Sequence, residues 1–162
     1  MSKRRLIVWT SAVGLVVVAL AAVCAVTGYR YWDDRQSEQA RTQVVPAARH
    51  TVEAMFTYNF NTVDSELPKA ADSLAGGFRD DYLKLIKEGI APAAKEKQLT
   101  VQATTQAGGV VSAEPEHAVV LLYLNQVSTG KDSPQASIST SRVRVSLDKA
   151  DSRWLVAAVT PV

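Results

Sequence analysis

Cysteine is almost missing from this chain. The single one, Cys24, sits in an apolar run near the N-terminus, and the 138 residues after it contain none. No disulfide framework can therefore staple the C-terminal part, which must fold on an ordinary hydrophobic core. Histidine is scarce too: His50 and His117 lie far apart on different expected elements, with no local partner motif, so no metal site is expected. There is no GxSxG elbow and no phosphate-cradling glycine loop, which removes the common hydrolase and nucleotide-binding signatures. Charge of one sign is also absent as a field. All 16 acidic residues but only 14 of the 18 basic residues follow Trp32, leaving the C-terminal part near −2 although the whole chain carries +2. Nothing there would attract nucleic acid.

What the sequence does have is one long run without charge. Residues 6–26, LIVWTSAVGLVVVALAAVCAV, would span about 31 Å as a helix, close to the roughly 30 Å hydrocarbon core of a bilayer. Lys3, Arg4 and Arg5 precede it, and Tyr29, Tyr31 and Trp32 follow it at headgroup level. The run exceeds the apolar stretch of a cleaved leader, and Val23 stands where a lipidated cysteine needs a small neighbour. The expectation is a cytoplasmic tail at 1–5, a retained transmembrane helix at 6–28, a polar stalk at 29–45 and an extracytoplasmic domain at 46–162.

Within that domain three helices are expected first. Pro46 marks a kink or a fresh start, after which Val45, Ala48, Val52, Met55 and Phe56 form an apolar stripe. A second helix fits Val63 to Leu74, with Leu67, Ala70, Ala71 and Leu74 on one side and Gly76-Gly77 closing it. A third begins near Phe78, turns Phe78, Tyr82, Leu85 and Ile86 inward, and is weakened or closed by Gly89 and Pro92. The period then changes to two. Leu99, Val101, Ala103 and Thr105 share a face, and a bulge is expected at Gly108-Gly109. His117 to Val127 is nearly continuous apolar and reads as a central strand buried on both faces. A loop at 129–135 leads to a third strand with a bulge near Ser139–Ser141, because Ile138 breaks the parity of Val143, Val145 and Leu147. A turn at 148–152 leads to the last strand, from Trp154. Helices followed by antiparallel strands make an α+β class: about three helices on a bent four-stranded sheet.

The residues available for chemistry are few. Tyr58, Asp64, Tyr82 and Tyr123 could serve acid–base catalysis in an apolar pocket. Tyr82 and Tyr123 also fit simple packing on apolar faces, and Asp64 fits a turn. Asp80 and Asp81, about 100° apart on a helix, cannot face one substrate atom together and read as a solvated first turn. No catalytic residue, cofactor site or metal site is assigned.

The layout of short basic N-terminus, single span and polar stalk, followed by AARHTVEAMFTYNFNTVD and LAGGFRDDYLKLI, resembles the Mce-associated membrane proteins of actinobacteria. Gly77-Phe78-Arg79-Asp80-Asp81-Tyr82 carries most of the likeness, with the ending Val159-Thr160-Pro161-Val162. Asn59 and Asn61 stand where many members have charges. The resemblance implies a cone-shaped fold of the nuclear-transport-factor-2-like type, similar also to VirB8-type assembly factors. It implies a non-enzymatic accessory role beside Mce transporter components or related membrane proteins, in the import of fatty acids or sterols. A lipid carrier and a cone-type enzyme are the alternatives. A reporter fused after Val162 should report an extracytoplasmic position, and recovery of a mature chain beginning near Tyr29 would refute the retained anchor.

Overall fold

The computed structural model describes Cys24 and residues 35–162, and its larger compact unit spans Glu38–Val162. The expected transmembrane segment at 6–28 lies outside the described residues, Cys24 excepted. Among the described residues no helix is long and apolar enough to cross a membrane.

The first helix, α1, is helical over 35–56. Ala40, Val44, Ala48, Val52 and Met55 are all buried, at the three- and four-residue steps of a single stripe. Pro46 lies inside this helix and does not restart it. A proline in a helix interior costs about 3 kcal/mol, but buried residues on both sides of it enter the same core and hold the helix through it. Ala40 and Val44, expected in a stalk, belong to that core.

The chain then makes a two-residue strand, β1 (Tyr58–Asn59), and turns on Asn59, whose Oδ1 accepts the Asn61 amide at 2.9 Å. Helix α2 (Val63–Ala70) continues as a 3-10 turn at Ala71–Ser73, and Leu67, Ala70, Ala71 and Leu74 are buried as the periodicity predicts. Leu74 bridges Val156, and the Ala75 amide donates to the Val156 carbonyl at 2.8 Å.

Helix α3 (Gly76–Leu85) begins on the two glycines expected to end its predecessor. Gly89 and Pro92 do not close it either. A π turn at Ile86–Ile90 carries the backbone into α4 (Ala91–Lys97), with Pro92 in the first turn of α4. A π turn leaves a carbonyl without its usual i+4 donor, which suits the approach to a residue that has no N–H. Leu85, expected on the inner face with Tyr82 and Ile86, is instead 56% exposed.

Four long strands follow: β2 (Thr100–Ala113), β3 (His117–Gly130), β4 (Ser133–Ala150) and β5 (Arg153–Pro161). They form an antiparallel sheet in the order β1-β2-β3-β4-β5, with β3 central as expected and β1 added as a fifth strand. Register shifts at 105/107 and 110/112 in β2, at Ala157 of β5 opposite Ser146/Leu147, and between Ser128 and Gly130 of β3 bend the sheet over the helices. The glycines are not themselves the bulge, since Gly108 and Gly109 stand opposite Leu122 and Leu121. Gly108 serves close approach: a Cβ there would lie 2.7 Å from Leu122 Cδ2 and 3.2 Å from Val45 Cγ1. No bulge occurs near Ser139–Ser141 either. Ile138 pairs with Val127 in an unbroken register, on the face away from the helices. The β4–β5 hairpin turns on Asp151 and Ser152, both at positive φ, as a two-residue primed turn requires.

Helices cover only one face of this sheet. Ala118, Val120, Leu122 and Leu124 are almost wholly buried against them, with Val143, Val145 and Leu147 from β4. Their alternates are not. Leu121 is half-buried and Tyr123 is 44% exposed, so the central strand is not buried on both sides. An antiparallel sheet tolerates one solvated face, and the apolar run in β3 concealed that asymmetry.

Leu122→Ala should cost about 2–5 kcal/mol in chemical denaturation of the purified chain, because its neighbours cannot collapse into the gap. Leu121→Ala should cost clearly less, and equal losses would mean that both faces of β3 are packed.

Candidate functional site

The C-terminal half of α1 lies along β2 where β1 has ended. Thr57 Oγ1 accepts the Ala103 amide at 3.0 Å, and Glu53 Oε1 accepts the Thr105 amide at 2.6 Å. These bonds place the end of α1 at one end of the sheet. There Met55 and Phe56 meet Phe78, Tyr82 and Leu85 of α3, Ile90 of the π turn, and Val143, Val159 and Pro161 of β4 and β5. Together they line an apolar cleft of about 250 Å³. Asp81 is the one ionisable carboxylate on its wall.

Tyr82 is the only one of the four expected candidates to reach this cleft. Its ring is buried, and its hydroxyl donates to the Met55 carbonyl at 3.0 Å. Burial raises its pKa well above the usual tyrosine value, and the neighbouring Tyr58 adds to the shift. A hydroxyl so held stays protonated and spends its proton on a main-chain acceptor, so it is poorly suited to general-base work at neutral pH. Tyr58, half-buried on β1, is also raised by burial. Asp64 lies in the first turn of α2 and forms an exposed ion pair with Lys95 of α4. Tyr123 lies on the opposite face of the sheet. The fold thus distributes these four residues and assembles no acid–base pair from them.

The histidines are equally dispersed. His50 is exposed on α1, and His117 at the start of β3 places Nδ1 2.7 Å from Asp148 Oδ1 on the facing strand. Among the described residues no group of three or more His, Cys, Asp or Glu side chains could hold a metal ion. Asp80 and Asp81 are not in the first turn of a helix starting at Phe78, because α3 starts at Gly76. Asp80 is exposed, while Asp81 reaches the cleft wall, a placement that nothing in the local sequence signals. At about 250 Å³ the cleft is smaller than the roughly 300–1,000 Å³ usual for drug-sized ligands. It can hold a short aliphatic chain or a single ring by apolar contact.

Residues 6–161 match the family described as "Uncharacterized protein Rv1363c/MT1408-like". The chain belongs to this family. It is 37% identical over 166 residues to a protein of Mycobacterium tuberculosis strain H37Rv named "Outer membrane protein Rv1973", with both chains covered completely. It is also 37% identical over 135 residues to "Uncharacterized protein Rv1362c" of the same strain, over 82% of this chain and 61% of that one. Among solved structures it is similar to an IcmL-like type IV secretion system protein of Legionella pneumophila, with a TM-score of 0.63 and 14% identity, over 75% of this chain and 93% of that one. CagV, a VirB8 homologue of the Helicobacter pylori type IV secretion system, gives a TM-score of 0.59 at 13% identity, over 74% and 95% of the two chains. At such identities these structures show a shared fold, the expected cone of helices wrapped by a bent sheet.

The buried hydroxyl generates a pH prediction. Because the folded pKa of Tyr82 lies above its unfolded value near 10, the unfolded chain loses this proton first as pH rises. The stabilisation is complete below about pH 10 and declines above it. Tyr82→Phe should cost roughly 1 kcal/mol at pH 7 and should flatten the alkaline decline in denaturant titrations run from pH 8 to 11. An unchanged alkaline slope would place the titration elsewhere.

Proposed function

We propose that this member of the family is a membrane-anchored, non-enzymatic accessory subunit that supports assembly of an Mce-type importer of fatty acids or sterols. The observation that carries the non-catalytic part is the dispersal of the polar candidates. Tyr82 is committed to Met55, Asp64 to Lys95, and Tyr123 faces the other side of the sheet. The fold shared with secretion-system proteins supports a scaffold reading, and the uncharged run at 6–26 supports a tether. The Mce partner comes from the sequence resemblance.

A lipid-carrier role is the second reading, and the apolar cleft between α1, α3 and β5 favours it specifically. The two readings separate in one assay: uptake of labelled fatty acid or sterol by a deletion strain complemented with variants at matched abundance. Under the scaffold reading, deleting residues 1–32 and exporting the domain should remove most support, because tethering raises local concentration. Asp64→Asn and Tyr58→Phe should leave uptake nearly unchanged. Leu85→Trp, which narrows the cleft from an exposed position, should also be silent. Loss of uptake in Leu85→Trp alone would favour the carrier. Loss in Asp64→Asn with partner binding intact would revive a catalytic role.

A further inference from the structure

Strand β4 is longer than the strand that covers it. Its 18 residues pair along β3 as far back as Ser133, but the ladder with β5 stops at Val143. The Val162 amide still donates to the Arg142 carbonyl at 3.0 Å, and no backbone pairing continues beyond it on that side among the described residues. The Arg142 carbonyl therefore points toward the β5 side. Main-chain direction alternates along a regular antiparallel strand, so Ile138 and Thr140 also turn their N–H and C=O groups to this edge. An open groove of about 630 Å³ borders this end of β4 and β5, lined by Thr140, Ser141, Arg142, Pro161 and Val162 and also by residues 123–125 of β3 and Gln106 of β2.

Natural sheets protect such edges with charge, proline, bulges or a covering element. Parts of the other edges follow that rule. Glu53 of α1 and Thr57 just after it accept the Thr105 and Ala103 amides of β2, and Leu74 and Ala75 close part of β5. Residues 137–141, Ser-Ile-Ser-Thr-Ser, have none of these devices. They carry no charge and no proline, all are exposed, and their register with β3 is unbroken; the register shifts only before them, between Ser137 and Ser133.

We propose that this edge of β4 pairs with the same edge of a second copy of the chain, antiparallel about a two-fold axis at Ile138. That register sets Ile138, at the middle of the outward-facing stretch, opposite its own copy. Its backbone groups point outward, so the central pair can exchange both N–H···O bonds. Three observations favour a second copy over a foreign strand. The segment has no charge, so self-pairing brings no like charges together. Its Ser-Ile-Ser centre is symmetric about the axis. Ile138, 69% exposed, would meet its own copy, and each is flanked by the half-exposed Val127 of its own β3, so the four residues make one apolar row across the joint. A five-residue strand pair buries little beside the roughly 1,200–2,000 Å² of stable complexes, so the pairing belongs to high local concentration.

The test uses the full chain in detergent micelles, with Cys24→Ser as background and Ile138→Cys as the probe. A hydrogen-bonded antiparallel pair holds Cα atoms about 5.5 Å apart, within the range a disulfide spans. Mild oxidation should join Ile138→Cys chains at least about tenfold faster than Val111→Cys chains, whose cysteine is comparably exposed on β2. Thr140→Pro, which removes an outward amide, should abolish that excess, as should Ser139→Lys, which places like charges near the axis on an exposed strand. Equal rates at 138 and 111 would overturn the proposal, as would an excess that survives both substitutions. If Ile138→Cys cross-links in native membranes only to a different chain, the edge takes a foreign strand and self-pairing is likewise overturned.

Discussion

The end of α1 stands in for a neighbouring strand, and the rest of the domain depends on this substitution. Strand β1 covers only the first two residues of β2, so the amides of Ala103 and Thr105 would face an open edge. Thr57 and Glu53 accept them, and the Glu53 bond, at 2.6 Å, is charge-assisted and short. Holding α1 there brings Val45 against Gly108 and places the Met55 carbonyl where the Tyr82 hydroxyl can reach it. Tyr82 in turn ties α3 to α1, and the apolar cleft is the space left where the two helices meet the ends of β4 and β5.

Burial then follows one rule. The bent sheet presents one face to three helical stretches, and its buried residues come from that face of β2, β3, β4 and β5. The other face keeps Leu121 half-covered and leaves Tyr123, Val127 and Ile138 to solvent or to a partner. The edges differ in the same way: those next to helices are closed by side chains or by a bridge, whereas β4 runs on past the end of β5. Helix placement thus decides both where a small apolar molecule could lodge and where a further strand could add.

This distribution bears on function through what it separates. An acid–base site needs two titratable groups within reach of one substrate atom, in surroundings that move their pKa values apart. Here the most shifted group, Tyr82, is pushed toward permanent protonation, and Asp64 sits on another surface paired with a lysine. The domain keeps these groups apart. It shares its fold with secretion-system proteins whose sequences it hardly resembles.

The sequence by itself determined the elements and the fold class. Period-3.6 and period-2 patterns are local, so α2 with its buried Leu67, Ala70, Ala71 and Leu74, the central place of β3 and the turn before Trp154 were all legible. What misled were signals whose local cost is overridden by distant contacts. Pro46 does not break α1 because buried residues flank it on both sides, and Pro92 does not end its helix because a π turn carries the backbone past it. The apolar run of β3 could not say that one of its faces is bare, since that depends on where the helices dock. For the same reason only the tertiary structure decided that Tyr82 meets Met55, that Asp81 reaches the cleft, and that the edge of β4 is left open: each is a relation between segments far apart in the chain, fixed by packing rather than by any residue's neighbours in sequence.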